Sequence, residues 1–142
     1  MATTRRRKPA KKKSPARRSD TPLAVVKRAC AAFNRHDVEG ILNEFADRPV
    51  WYLSYGPKPY GTKLVGKPAI RKILEARYAT IQGLNWAVIR HFVQGHIVCS
   101  EWTLTGRPES GPPMNLRGLD IWEVRGGKIV MKDTYWKNVV KS

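Results

Sequence analysis

Cysteine, acidic side chains and long apolar runs are all scarce in this 142-residue chain. The two cysteines, Cys30 and Cys99, have no Cys or His at metal-ligand spacing, which argues against a zinc site. Each sits within an apolar pattern and is expected as a small buried hydrophobe. No apolar run approaches the ~20 residues of a membrane span. The Arg-rich N-terminus is followed by no apolar stretch of the kind a secretory signal needs. These absences lead to the expectation of a soluble, cytoplasmic protein with no membrane contact, a compartment that argues against a disulfide. Carboxylates are few as well: 11 Asp and Glu stand against 27 Lys and Arg, a formal charge of +16.

That charge divides into two equal parts. Residues 1 to 20 hold nine basic side chains and one acid, Asp20, for +8, which leaves +8 of the +16 for the rest. The segment has no large apolar residue beyond Met1, so it has little to bury against the entropy of ordering, and it is expected to be a disordered basic tail. Three roles stay open for it: a solvated extension, a targeting address, or weak, salt-sensitive contact with nucleic acid or another polyanion.

Residues 21 to 142 are expected to form one domain. Thr21 suits an N-cap and Pro22 the first helical position. Leu23, Val26, Cys30 and Phe33 then recur at helical spacing, predicting a helix to about Asn34. Asp37 can cap a second, shorter helix with Val38, Ile41, Leu42 and Phe45 on one face. Pro49 ends this helical region and Val50 to Leu53 reads as a strand. A Gly/Pro-rich loop runs to about Gly66, and Pro68 starts a third helix. After Gly83 the pattern has period two, predicting strands at 86–93, 97–105, 115–124 and 128–139. Gln94-Gly95-His96 and Arg125-Gly126-Gly127 suit three-residue hairpin loops. Arg107 to Pro113 is a longer connection. Helices first and antiparallel strands afterwards is an α+β order.

Several stretches resemble the nuclear transport factor 2-like superfamily and its SnoaL-like members. Ala31-Ala32-Phe33-Asn34-Arg35-His36-Asp37 with Phe45-Ala46-Asp47 is similar to the first helix and turn of that family. Val65-Gly66-Lys67-Pro68-Ala69-Ile70 is similar to the start of its third helix. Gly118 to Val124, Gly127-Lys128-Ile129 and Tyr135-Trp136 resemble its last hairpin. The resemblance implies a cone: three N-terminal helices packed on a curved, mostly antiparallel sheet, with a largely apolar cavity at the open end. It also implies a small apolar ligand, a homodimer, and either cofactor-free isomerase, cyclase or dehydratase chemistry or a non-enzymatic binding or dimerisation module.

Asp120 stands mid-strand between Leu119 and Ile121, where a carboxylate is costly unless paired or protonated. By resemblance it falls where ketosteroid isomerases place the buried acid of their oxyanion hole. Structural pairing across the sheet, or a dimer contact, is the plainer alternative. With a three-residue loop at 125–127, Asp120 stands opposite Lys132, which would hold it ionised; with a two-residue loop it faces Asp133. Tyr52 and His91 are the candidate second proton carriers. Trp51, Trp102, Trp122, Thr134 and Trp136 are the candidate ligand contacts. The resemblance is incomplete at its chemical positions. The general-base aspartate of ketosteroid isomerases aligns near Tyr52. The carboxylates and arginine of limonene epoxide hydrolases align at Trp102, Leu104 and Thr134, and the acid–base aspartate of SnoaL-type cyclases near Thr134. No metal or organic cofactor is implied.

Overall fold

A computed structural model describes residues 20–142; the expected disorder of the tail and its polyanion contacts fall on residues outside that range, apart from Asp20. The chain enters helix α1 (Pro22–Asn34) at Thr21, whose Oγ1 accepts a hydrogen bond from the Ala24 amide at 3.3 Å. The helix ends at Asn34, and the turn beyond it passes through His36, the one non-glycine residue among those described with a positive φ, 59°. Its ring is held by the Leu84 carbonyl at 2.6 Å and stacks on Tyr78, and these contacts offset the strain of a left-handed backbone. Asp37 then caps α2 (Val38–Glu44) by accepting from Gly40 N.

The chain passes directly from α2 into strand β1 (Phe45–Tyr52) and, after a loop, into β2 (Lys63–Val65). Helix α3 (Lys67–Thr80) follows Gly66, at φ 89°, with Pro68 in its first turn. Four long strands complete the chain: β3 (Ile81–Gln94), β4 (Ile97–Pro108), β5 (Met114–Arg125) and β6 (Lys128–Trp136). They form an antiparallel meander inside a six-stranded mixed sheet of order β2-β1-β6-β5-β4-β3, with β1 parallel to β6. Three helices on this sheet make an α+β fold. One side of the sheet carries the core: Trp51, Val98, Trp122 and Ile129 pack against Val25, Val26, Phe33, Ile41, Ile70 and Leu74 of the helices. No helix among the described residues is long and apolar enough to cross a membrane.

Several boundaries differ from the sequence expectation. Pro49 does not end a helical region; it lies inside β1, at an irregularity between Phe45 and Val50, where a missing amide costs no ladder bond. Strand β2 arises within the segment expected as loop, β3 begins at Ile81 rather than after Gly83, and β6 stops at Trp136. Both hairpins are tighter than expected. Gln94 pairs with Ile97 and Arg125 with Lys128, so each turn has two residues. Gly126 and Gly127 both take positive φ, 57° and 76°, as the twist-matched two-residue turn requires.

Candidate functional site

The tight turn at Gly126-Gly127 is followed by an irregularity: Val124 pairs with Ile129 but Glu123 with Met131, leaving Val130 as an extra residue. This bulge decides the site. Neither expected register of the last hairpin occurs; Asp120 stands opposite Thr134, and Lys132 opposite Trp122. Without the extra residue, the two-residue turn would place Lys132 opposite Ile121, on the other face of the sheet. With it, Lys132 and Thr134 turn inward.

Across the inner face the strands then assemble rows of side chains. One row is polar: His91 on β3, Ser100 on β4, Asp120 on β5 and Thr134 on β6. The row on one side brings Trp122, Lys132 and Trp51 together, and on the other Trp102 stands beside Gly118. Gly118 is needed there, since a Cβ would lie 2.6 Å from the Trp102 ring and 2.5 Å from the Tyr135 carbonyl.

The polar groups satisfy one another. Lys132 Nζ donates to Asp120 Oδ1 and to Thr134 Oγ1, each at 3.0 Å. Thr134 Oγ1 donates to Asp120 Oδ1 at 2.6 Å and accepts from Trp51 Nε1 at 2.9 Å, using its one donor and both acceptor positions. Trp102 Nε1 donates to Asp120 Oδ2 at 2.9 Å. Asp120 therefore accepts three hydrogen bonds, whereas an oxyanion-hole acid would have to donate one. The Lys132 and Asp120 side chains are 4 % and 5 % exposed. Burial pulls the lysine below its ordinary pKa range, while Asp120 opposes that shift.

Aromatic rings enclose the ammonium. Its Nζ lies 4.1 Å from the Trp51 ring centre, 5.1 Å from Phe33 and 5.2 Å from Trp122, within cation–π range. Cys30, Phe33, Trp86, Trp102, Asp120, Trp122 and Lys132 line the cleft. Its space open to a water-sized sphere is about 10 Å³, about one water molecule. The open cavity expected of the cone is thus filled by rings in this state. Of the lining residues Cys30 and Trp86 are half-buried and the other five are buried. Burial pushes the Cys30 thiol up to about 12, so it stays protonated and acts as the small hydrophobe expected.

The structure gathers some of the sequence candidates and separates others. Asp120, Lys132, Trp102 and Trp122 line the cleft, and Trp51 and Thr134 support it from one contact behind. His91 reaches it only indirectly: its Nδ1 is 2.8 Å from Ser100 Oγ, which also accepts from Trp122 Nε1 at 3.0 Å. Burial, with a smaller contribution from Lys27, lowers the His91 pKa. Tyr52 is removed from the site. It follows the inward Trp51 on β1, so it points to the opposite face, where its ring meets Tyr60 and Lys63. Trp136 shares the inner face but joins a second apolar cluster around Leu84, Trp102 and Leu104 and stacks on Tyr55. Ser100 and Phe33 were missed as site residues. Period two from Trp102 places Ser100 on the same face, a signal the sequence does contain.

Residues 26–131 match the family model described as a SnoaL-like domain. The chain belongs to that family. No curated protein sequence matches it. Three solved structures show the extent of the likeness. A proposed polyketide cyclase from Xanthomonas campestris pv. campestris is 21 % identical, with 82 % of this chain and 90 % of that one covered, at a TM-score of 0.72. TerC, co-crystallised with polyporic acid, is 21 % identical over 84 % and 92 %, at 0.71. A protein with a ketosteroid isomerase-like fold from Catenulispora acidiphila DSM 44928, in complex with trimethylamine, is 18 % identical over 78 % and 83 %, at 0.69. At these identities the likeness concerns the fold, which is that of nuclear transport factor 2-like proteins.

Proposed function

We propose that the cleft is a small-molecule site in which Asp120 and Lys132 act as an acid–base pair on an uncharged, ring-bearing carbonyl compound. The observation that carries this reading is a buried ion pair at 3.0 Å set among aromatic walls. Titratable groups perturbed by burial and a specific charge partner concentrate at functional sites. Lys132 uses two of its three N–H donors on Asp120 and Thr134. In this scheme the third donates to a ligand carbonyl. Among the described residues Asp120 Oδ2 accepts only from Trp102, which leaves a second lone pair for a proton leaving the carbon next to that carbonyl. Proton transfer from that carbon to Asp120, with Lys132 donating to the oxygen, gives an enol, the intermediate shared by three reactions: reprotonation at another carbon completes an isomerisation, attack on a second carbonyl carbon a cyclisation, and loss of a β-hydroxyl as water a dehydration. His91, acting through Ser100, is a positioning residue in this scheme. In this scheme a ligand enters by displacing Trp86, a half-buried ring of the cleft wall.

The test is exchange of α-protons of a planar aromatic ketone in D2O, followed by NMR. The expected result is exchange above the buffer rate, reduced by about 10²–10⁴-fold in Asp120→Asn. Unchanged exchange in that variant would remove Asp120 from the mechanism.

A second reading is favoured by the one-water volume of the cleft: ligand binding or dimerisation without turnover. It predicts tryptophan fluorescence changes on ligand addition with exchange at the buffer rate. Under either reading, we propose a cytoplasmic homodimer formed through the outer face of the sheet, and a basic segment, residues 1–20, separate from the domain at 21–142, that contacts a polyanion weakly. Light scattering tests the dimer. Deleting residues 1–20 should abolish any salt-dependent DNA shift.

A further inference from the structure

Lys132 occupies the position that an ammonium ligand would take in a recognition site. Binding sites for alkylammonium ions surround the cation with aromatic faces and set a carboxylate beside it. Here Phe33, Trp51 and Trp122 supply the faces, 4.1 to 5.2 Å from Nζ. Asp120 supplies the carboxylate at 3.0 Å and Thr134 a neutral acceptor at the same distance. The box is built by β1, β5, β6 and α1, while the cation arrives from β6 on a flexible four-carbon stem. Box and occupant are therefore separable.

We propose that Lys132 determines the ligand class of the cleft: its own ammonium fills an alkylammonium site, so the chain rejects cationic ligands and accepts uncharged ones. This deepens the reading of the cleft as a binding site and rests on it. Two physical reasons support it. A second cation entering the box would lie against Lys132 and, beyond it, Arg77, whose guanidinium is 5.2 Å from the Trp51 ring. With Asp120 already neutralised, nothing offsets the cost of desolvating that cation. The space left open admits about one water, whereas removing the lysine side chain vacates room for a methylated ammonium group.

The experiment titrates the full chain with methylammonium and tetramethylammonium chloride, against sodium chloride, by tryptophan fluorescence and calorimetry. Lys132→Ala is expected to bind methylammonium at least about tenfold more tightly than the unaltered protein. Lys132→Met, which fills the box without charge, is expected to gain nothing. Equal binding by the unaltered protein and Lys132→Ala, or none by a folded Lys132→Ala, overturns the proposal. Should Lys132→Ala fold only with methylammonium present, the proposal stands; no rescue by the ion overturns it. NMR of the unaltered protein gives an independent check, since Lys132 Hε protons over three ring faces must be shifted upfield, and unshifted resonances count against an occupied box. If cation selectivity follows Lys132 but α-proton exchange of the ketone does not depend on Asp120, the acid–base reading falls and this inference survives. If an uncharged ligand binds and Lys132→Ala takes no cation, the reverse holds.

Discussion

The two faces of one sheet carry the same kind of contact with opposite consequences. On the inner face Lys132 and Asp120 lie 3.0 Å apart and almost wholly buried. On the outer face Glu101 bridges Arg90 at 2.8 Å and Arg117 at 3.1 Å, with the arginines 55 % and 52 % exposed. The outer triad is as well formed geometrically. Water and salt screen it, so it contributes little. The inner pair loses hydration and recovers it through neighbours, which makes each partner dependent on the other. Geometry alone therefore does not rank the two; solvent does.

The largest effect expected is from Lys132→Ala, which leaves Asp120 charged and buried and should cost about 3–5 kcal/mol in urea denaturation. The double change Lys132→Met with Asp120→Asn should recover much of that loss, because it removes both charges together. If the single and double variants are equally unstable, the contrast between the faces is wrong. The next effect is alkaline. The Cys30 thiol is raised from 9.0 to about 12 in the folded chain. Its stabilising contribution is fully present below pH 9 and is lost as pH rises toward 12, by about 2 kcal/mol near pH 10.5. Cys30→Ala should flatten that decline relative to the unaltered protein. Tyr78, whose pKa burial also raises, leaves a residual slope in both.

Thr134→Val removes the acceptor shared by Trp51 and Lys132 and should cost about 1–3 kcal/mol, with a change in tryptophan fluorescence. The smallest effect belongs to the outer face. Glu101→Ala should cost less than about 1 kcal/mol and become undetectable in high salt. A salt-independent loss there would mean that the outer face is covered, as in the proposed dimer.

Much of the contact between Asp120 and Lys132 was legible in the sequence, and for an instructive reason. The expected register and the observed one differ by two residues, so both keep Lys132 on the face of Asp120. The pair is diagonal rather than directly opposite, within reach of a long side chain. The helix starts at Thr21-Pro22 and Asp37 were likewise legible, because capping is local chemistry. The Val130 bulge was not, since its residues look like any alternating strand and only the partner strand reveals the extra one. Tyr52 was misplaced for want of a face for β1, which is fixed by its parallel pairing with the distant β6.

By itself the sequence determined the α+β order, the helix boundaries set by local caps, the family to which the chain belongs and the two residues at the centre of the cleft. These follow from patterns spanning a few neighbours along the chain. Only the tertiary structure decided that Thr134 stands opposite Asp120, that Tyr52 and Trp136 do not line the cleft, and that rings from three elements close on a single ammonium. Those facts depend on register and on packing between segments far apart in the chain, and one unpaired valine sets the register for the rest.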